Sequence, residues 1–582
     1  MTSTAPAPAP LLCCHHFSPA ISPVSTPSDS RRYTMADFDE TAVPANPMAS
    51  LLELSHELLH CIFTEIEPAD LAAVSQSCQA LHGYIRGNRL LHKDLYVRRY
   101  DEPKKLKEEP DWETAVHRLV KMEKVLDSED REVKRQHLGF VCEEVDRLVE
   151  TANTTQSMED GEDGEGSRNV ELLREKFADT DNVDAFLCAS SLFARAGSDD
   201  QEPADTLELR QASAKLHCLY GVPIDVLPSR SFFSIMRNDA GIIRTPTAGP
   251  SAAALSTRSQ ARPLLTHTFA RSKVYDLREY TEHTLWGPFM NDGRQRVDWE
   301  KVEAVMIVLG FNLRKFTDRS EGRFPMVWKD TWSGASPNSY KSLPRMAGAV
   351  KEPDDEMYKI RELALALDAQ DPYGVSGSWM RVVCFLDYND LYAFNFSERI
   401  PDEQPRDAID TEEAIRLIRI KLQVTKIDPP GAGDEDDEGD GLDWSNFTGE
   451  RLPVVHFRGT SRSLHASWDP NANSRIRGTV RQTPEGEIRW TTFSIFHGEE
   501  RWRSEGIQVG GLRSARGVLG NWFDKDYDLH GPAGPTAFWK ETDELEEEKS
   551  SRITWLPYGN NTNVYDDLIE LADLLGIDLS DD

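Results

Sequence analysis

The chain has 582 residues, roughly enough for two to four domains. Hydrophobic residues make up only 39% of it, so part of the sequence is expected to be solvated connector. Asp and Glu outnumber Lys and Arg by 99 to 66, and the net charge of −33 repels phosphate backbones and anionic lipid surfaces. We therefore expect neither a nucleic acid nor a membrane as a partner.

The N-terminal residues and the hydropathy pattern predict a protein of the cytoplasm, the nucleus or both. No stretch approaches the roughly 18 to 20 apolar residues that span a bilayer. Residues 1–48 are rich in Ala, Pro and Ser, have no cationic start and cannot bury a core, so they are expected to form a disordered tail. Met35 is a second candidate for the start of the chain.

Cysteine usage argues against a disulfide scaffold and against a zinc ribbon. The sequence has 8 cysteines but no C-x-x-C pair. Cys13, Cys14, His15 and His16 are metal-capable, but adjacent residues do not comfortably occupy the corners of one tetrahedron. We expect no metal site and no cofactor.

Residues 50–100 are predicted to form three short helices with an apolar stripe. Apolar residues of the first helix recur at intervals of four. Pro68 opens a second helix, which is expected to run through Cys78 to Leu81, and Leu91 and Leu95 belong to the third. Three short helices cannot cover so wide an apolar surface, which indicates a docking site for another protein. The residues expected to form it are Leu54, Leu58, Leu59, Ile62, Leu71 and Val74, although some of them must face the segment's own core.

This segment resembles an F-box, and it reads LLELSHELLHCIFTEIEPADLAAVSQSCQALHGYIRGNRLLHKDLY. It departs from the family at Ser55, where a Pro is usual, and at His92, where a Trp is common. The resemblance implies docking on the Skp adaptor and, through it, on a cullin of a ubiquitin ligase. The chain would then be a non-catalytic receptor that presents a still unknown protein substrate. A generic three-helix piece of a larger helical domain is the alternative.

Residues 101–230 are expected to be a helical connector, interrupted by an acidic spacer near 159–165. From about residue 265 the sequence changes to short alternating runs separated by turn residues, which is typical of antiparallel sheet. We expect hairpins that turn at 484–486 and at Asn389-Asp390. Residues 265–560, with an acidic loop at 434–440, therefore form a predicted β domain, and residues 561–582 an amphipathic tail.

The regular spacing of aromatic residues and glycines favours a closed barrel, with a sandwich as the alternative. Blocks such as ARSKVYDLREYTEHTLWGPF and GVLGNWFDKDYDLHGPAGPTAFWK are similar to the C-terminal region of a group of fungal F-box proteins. The predicted fold class is thus α+β multidomain: a three-helix F-box, a helical connector and a mainly antiparallel β domain, expected to be a lipocalin-like barrel.

Aromatic and arginine side chains interleave in the β domain and are candidates for binding the substrate. The set is Trp379, Trp490, Trp502, Trp522, Arg489 and Arg503. Alternatively, the tryptophans fill the barrel and the arginines pair with acids.

The sequence contains no P-loop, no G-x-S-x-G and no H-E-x-x-H motif, so we do not expect an enzyme. Two further alternatives are an F-box protein acting outside ubiquitination and a barrel that binds a small apolar ligand.

Overall fold

The computed structural model describes residues 51–103, 109–152, 166–196, 202–221, 266–320, 328, 330–340, 355–402, 404–431, 442–445, 447–464 and 473–543. The predicted tail 1–48, acidic spacer 159–165, acidic loop 434–440 and tail 561–582 lie outside the described residues. The described residues up to His56 belong to a separate unit, which contains a 3₁₀ turn over Leu51–Glu53. The described residues from Glu57 onward belong to one compact unit.

The first helices are α1 (His56–Thr64), α2 (Pro68–Ser77), α3 (Gln79–Ile85) and α4 (Arg89–Arg99). Pro68 begins α2, as the sequence predicted, because its fixed φ suits the first turn of a helix. The single second helix expected through Cys78 is wrong, since Cys78 has extended backbone and separates α2 from α3. The Ser77 hydroxyl donates to the Val74 carbonyl at 2.7 Å and so competes with helix continuation.

Within the described part of residues 109–221, seven helices follow, in agreement with the helical character expected there. They are α5 (Trp112–Leu126), α6 (Arg131–Gln136), α7 (Leu138–Glu150), α8 (Arg168–Lys176), α9 (Thr180–Asn182), α10 (Ser191–Arg195) and α11 (Leu207–Tyr220), with a π-helical turn over Val183–Leu187. Side-chain oxygens of Asp111, Ser167 and Thr206 cap α5, α8 and α11 by accepting from backbone N–H groups of the first turn. The N-terminal boundaries of these three helices therefore follow from local sequence chemistry.

Among the described residues, four more helices accompany the sheet: α12 (Thr266–Tyr275), α13 (Trp299–Arg319), α14 (Asp355–Asp368) and α15 (Tyr388–Phe396). The hairpin expected at Asn389-Asp390 is wrong, because both residues lie inside α15. Asp387 caps this helix by accepting from the Asn389 N–H at 2.9 Å, and Leu391 and Asn395, one turn apart, are buried.

Eight strands form a closed antiparallel barrel in which every strand pairs with its neighbours in the sequence and β1 pairs with β8. They are β1 (Gly377–Phe385), β2 (Ala414–Asp428), β3 (Val454–Ser463), β4 (Asn473–Gln482), β5 (Ile488–Phe496), β6 (Glu499–Gln508), β7 (Val518–Asp524) and β8 (Ala533–Thr542). The expected α+β class and closed barrel are confirmed, and the predicted hairpin at 484–486 joins β4 to β5. No helix in the described part of the chain is both long and apolar enough to cross a membrane.

Alternate residues of the strands belong to two cores. Val382, Cys384 and Leu519 share a core with the buried face of α13 and with the connector helices. Trp379, Trp490 and their neighbours in register form a second core with residues such as Phe457 and Phe538. The barrel is therefore covered on part of its outer wall by helices and filled by side chains within.

Candidate functional sites

One face of α1 is buried and another faces solvent. Leu59 and Phe63 are buried, whereas Leu58 and Ile62 are 53% and 39% exposed. The orientation of α1 is fixed by α4, since His60 Nε2 lies 2.7 Å from Asp94 Oδ2 and Arg98 Nη1 donates to the Thr64 carbonyl at 2.6 Å. Residues four apart share a helix face, so Leu58 and Ile62 form one exposed apolar ridge on a fixed helix.

The six residues predicted to dock on a partner fall into three groups. Leu58 and Ile62 are exposed, Leu54 and Val74 are partly exposed, and Leu59 and Leu71 are buried. Leu59 and Leu71 therefore contribute to the core of their own helices. Leu90 of α4 is 61% exposed and was not among the predicted residues, although the Leu90-Leu91 doublet allows only one leucine to face inward.

Trp379 and Trp490 lie inside the barrel, where aromatic rings pack edge to face. Their ring centroids are 5.2 Å apart, and Phe538 lies 5.7 Å from Trp379 and 5.4 Å from Trp490. Both indole N–H groups are satisfied, by the Val375 carbonyl at 2.9 Å and by Gln508 Oε1 at 3.1 Å. These two tryptophans fill the barrel, which was the alternative to a role in substrate binding.

Trp502 and Trp522 form a separate pair further along the barrel. Their centroids lie 5.2 Å apart at an interplanar angle of 87°, and the Trp522 indole N–H donates to the Cys384 carbonyl at 3.0 Å. Trp522 is buried and Trp502 is partly exposed. Of the four predicted tryptophans, Trp502 is thus the one that reaches the surface.

Arg489 and Arg503 converge on Glu505 rather than on an open surface. Arg489 Nε lies 2.9 Å from Glu505 Oε2, and Arg503 Nη2 lies 2.7 Å from Glu505 Oε1. Burial opposes ionisation of Glu505, but the two guanidinium groups outweigh it and hold the pKa of this carboxyl below its usual value. The structure places both arginines in an ion-pair network around the buried Glu505.

A further arginine, Arg381 of β1, is buried, and its side chain reaches residues of β8 and β6. Its Nε donates to Thr536 Oγ1 at 3.0 Å and its Nη2 donates to Ser504 Oγ. Burial lowers the pKa of Arg381 to about 10. Thr492 pairs with Ser504 in the strand register, and its buried hydroxyl has no hydrogen-bond partner among the described residues.

A cavity of about 350 Å³ lies between the barrel strands β1 and β8 and helix α14. It is lined by Asn338, Tyr340, Leu365, Asp368, Asp371, Tyr373, Gly374, Ser376, Trp379, Arg513, Ser514, Lys540 and Asp543. Trp379 is the member of the predicted substrate-binding set that contributes to its lining. The sequence did not indicate the other lining residues, because they come from distant parts of the chain.

Charged and aromatic groups meet in this cavity. Lys540 Nζ donates to the Gly374 carbonyl at 2.8 Å and lies 5.0 Å from the Tyr340 ring centroid. Burial lowers the pKa of Lys540 and raises the pKa of Asp371, whose carboxylate accepts from the Val375 and Tyr373 N–H groups. The Tyr340 hydroxyl is buried and has no partner among the described residues. The cavity can therefore offer a ligand both hydrogen bonds and aromatic surface.

Comparison with known proteins gave no match. No protein-family model matches the chain, and neither the curated proteins nor the solved structures contain a significant relative.

Proposed function

We propose that the chain is an F-box-type substrate receptor that docks on the Skp adaptor and presents a protein target for ubiquitination. The observation that carries this proposal is the exposed ridge of Leu58 and Ile62 on a helix whose orientation is fixed by α4. The resemblance of residues 50–100 to an F-box supports it. Burying the exposed parts of these two side chains under a partner would contribute about 1 kcal/mol each.

The barrel is the proposed target-binding part. Its cavity between β1, β8 and α14 combines Trp379, the Tyr340 hydroxyl and the Lys540 ammonium group, a mixture that suits a peptide better than a purely apolar ligand. A receptor of this kind contributes no covalent chemistry of its own. It raises the effective concentration of a target lysine near the conjugating enzyme.

Affinity purification of the intact chain from cells with an inactivated ligase tests the proposal and keeps a bound target attached. We expect to recover the Skp adaptor, a cullin and at least one further protein. Recovery of the adaptor without a cullin would favour the alternative of an F-box protein that acts outside ubiquitination, in assembly or trafficking. Recovery of neither would contradict the proposal.

The cavity also supports a second candidate, in which the barrel holds a small molecule. The buried Tyr340 hydroxyl and the charged lining favour a polar ligand over the small apolar ligand that the sequence left as an alternative. Native mass spectrometry of the full chain tests this candidate. A retained mass that Trp379→Ala removes would support it, and an unliganded mass for the natural protein would count against it.

A further inference from the structure

Two histidines and one glutamate meet where α4 packs beside α5. They are His92 on α4 and Glu113 and His117 on α5. One ligand-capable atom from each residue lies within 4.8 Å of the corresponding atoms of the other two. His92 is buried, Glu113 is partly exposed and His117 is exposed, so the cluster opens from the helix interface towards solvent.

The helices themselves bring these side chains together. Glu113 and His117 are four residues apart, which places both on the same face of α5. His92 and His117 have ring centroids 6.0 Å apart with an interplanar angle of 80°, so their rings meet across the two helices. All three candidate ligands therefore lie on two packed helices.

Two backbone contacts hold the groups in orientations suited to a ligand. His92 Nδ1 lies 2.9 Å from the Asn88 carbonyl, and since a carbonyl can only accept, this nitrogen carries the proton. In the neutral ring the lone pair of Nε2 is then left for a ligand. Glu113 Oε2 accepts from the Gly87 N–H at 2.9 Å, which orients its carboxylate. Contacts of this type to metal-binding side chains fix the ring tautomer and raise affinity.

We propose that His92, Glu113 and His117 bind a zinc ion, with water in the fourth position. Two imidazoles and one carboxylate are a ligand set that suits Zn²⁺ and disfavours Ca²⁺ and Mg²⁺, which prefer oxygen ligands throughout. Zinc bonds of about 2.0–2.2 Å would bring the ligand atoms to roughly 3.3–3.5 Å of one another. From separations within 4.8 Å, side-chain rotation can supply that approach.

The ion would join the last of the N-terminal helices to the first helix of the connector. It thereby fixes the angle at which α1–α4 are presented by the rest of the chain. This role does not depend on the adaptor proposal, because the three ligands lie on α4 and α5 and not on the exposed ridge of α1. His92 is also the position at which the sequence departs from the Trp common in F-boxes.

Zinc titration of the full-length protein, stripped with a chelator and dialysed, tests the site. Cys13, Cys14, His15 and His16 are first changed to Ser and Ala, so that the N-terminal sequence cannot contribute ligands. We expect one zinc per chain by calorimetry and elemental analysis, and a rise in the melting temperature when zinc is added. Affinity should fall at acidic pH, since imidazole binds metal only when deprotonated.

His117→Ala is the main variant because His117 is exposed and its removal leaves the helix interface intact. It should weaken zinc binding at least about tenfold and abolish the zinc-dependent rise in melting temperature. Glu113→Gln, which keeps the shape and an oxygen acceptor for the Gly87 N–H, should also weaken binding. The exposed His283→Ala is the matched control and should bind as the parent does.

The melting temperature of each zinc-free variant shows whether it has folded. A parent protein that takes up no zinc would overturn the proposal. So would a folded His117→Ala variant that binds zinc as tightly as the parent.

Discussion

Glu505 is fully buried, and its carboxylate is the shared ion-pair partner of two guanidinium groups, those of Arg489 and Arg503. Removing its charge would take away the carboxylate that both cations contact, and breaking an ion pair at a buried site is among the more costly changes that a protein interior can suffer. We expect Glu505→Gln to lower the free energy of unfolding by about 3–5 kcal/mol. Urea unfolding followed by tryptophan fluorescence measures this change.

The matched control is Glu500→Gln, which removes the carboxylate partner of the half-exposed Arg477. Because solvent screens that pair, we expect a loss of at most about 1 kcal/mol. Equal effects of the two substitutions would contradict a structural role for Arg489 and Arg503. The arginines would then again be candidates for contact with a target.

His267 predicts a dependence of stability on pH. Burial lowers its pKa from 6.5 to about 3, with smaller contributions from Arg271 and Lys315, and its ring stacks on Phe311 at 3.9 Å. The folded state keeps this ring neutral while the unfolded chain protonates it below pH 6.5. Stability present above pH 6.5 is therefore lost as the pH falls towards 3, by about 1.4 kcal/mol per pH unit.

His267→Phe keeps the aromatic ring and removes the titration. Thermal unfolding of both proteins between pH 7 and pH 4 should show a shallower acid decline for the variant. Parallel pH profiles for the two proteins would show that His267 does not contribute to the decline.

Substitution of glycine by alanine should have opposite effects on stability in strand β7 and in helix α3. A Cβ at Gly520 of β7 would collide with the Glu505 carbonyl oxygen and the Gly506 Cα of β6, whereas a Cβ at Gly83 of α3 has no atom within 4 Å. We expect Gly520→Ala to destabilise the protein by about 1–3 kcal/mol or more. Gly83→Ala should stabilise it by about 0.5–1 kcal/mol, because alanine loses less conformational freedom in a helix. Melting temperatures that move in the same direction for both would contradict this account.

Local chemistry explains which elements could be predicted from the sequence. The turn between β4 and β5 is set by Thr483 and Gly486, whose backbone groups hydrogen-bond at 2.8 Å, and its position was predictable from its turn residues. Helix α15 was mistaken for a hairpin because Asn389-Asp390 is a common turn pair, while its Asp387 cap is equally a helix signal. The Asn-Asp dipeptide alone does not distinguish a hairpin turn from a helix.

The candidate sites were predictable only where neighbours in sequence are neighbours in space. The i,i+4 spacing of Leu58 and Ile62 indicated their common face, but it could not show that Leu59 and Leu71 turn inward. The Glu-x-x-x-His spacing of Glu113 and His117 was visible in the sequence. Its completion by His92 depends on how α4 packs against α5.

At the scale of the whole molecule, the connector and the barrel depend on each other. Arg516, next to β7, is buried and donates to the Leu219 and Tyr220 carbonyls at the end of α11 at 2.9 and 3.3 Å. Lys215 of α11 lies 3.0 Å from Glu487 in the turn before β5. The shared core and these bonds join the described residues from Glu57 onward into one compact unit. A barrel that selects a target would thus be held at a fixed position relative to the docking helices.

The proposed role of the Leu58 and Ile62 ridge is to bind the Skp adaptor. Titration of the purified chain with purified adaptor, compared with the Leu58→Asp plus Ile62→Asp variant, tests this proposal. The control is Leu363→Asp plus Leu529→Asp, which changes two leucines of 47% and 72% exposure outside the docking helices. We predict a one-to-one complex for the natural chain and the control, and none for the ridge variant at an unchanged melting temperature. A natural chain that does not bind the adaptor, or a ridge variant that binds it equally well, would contradict the account.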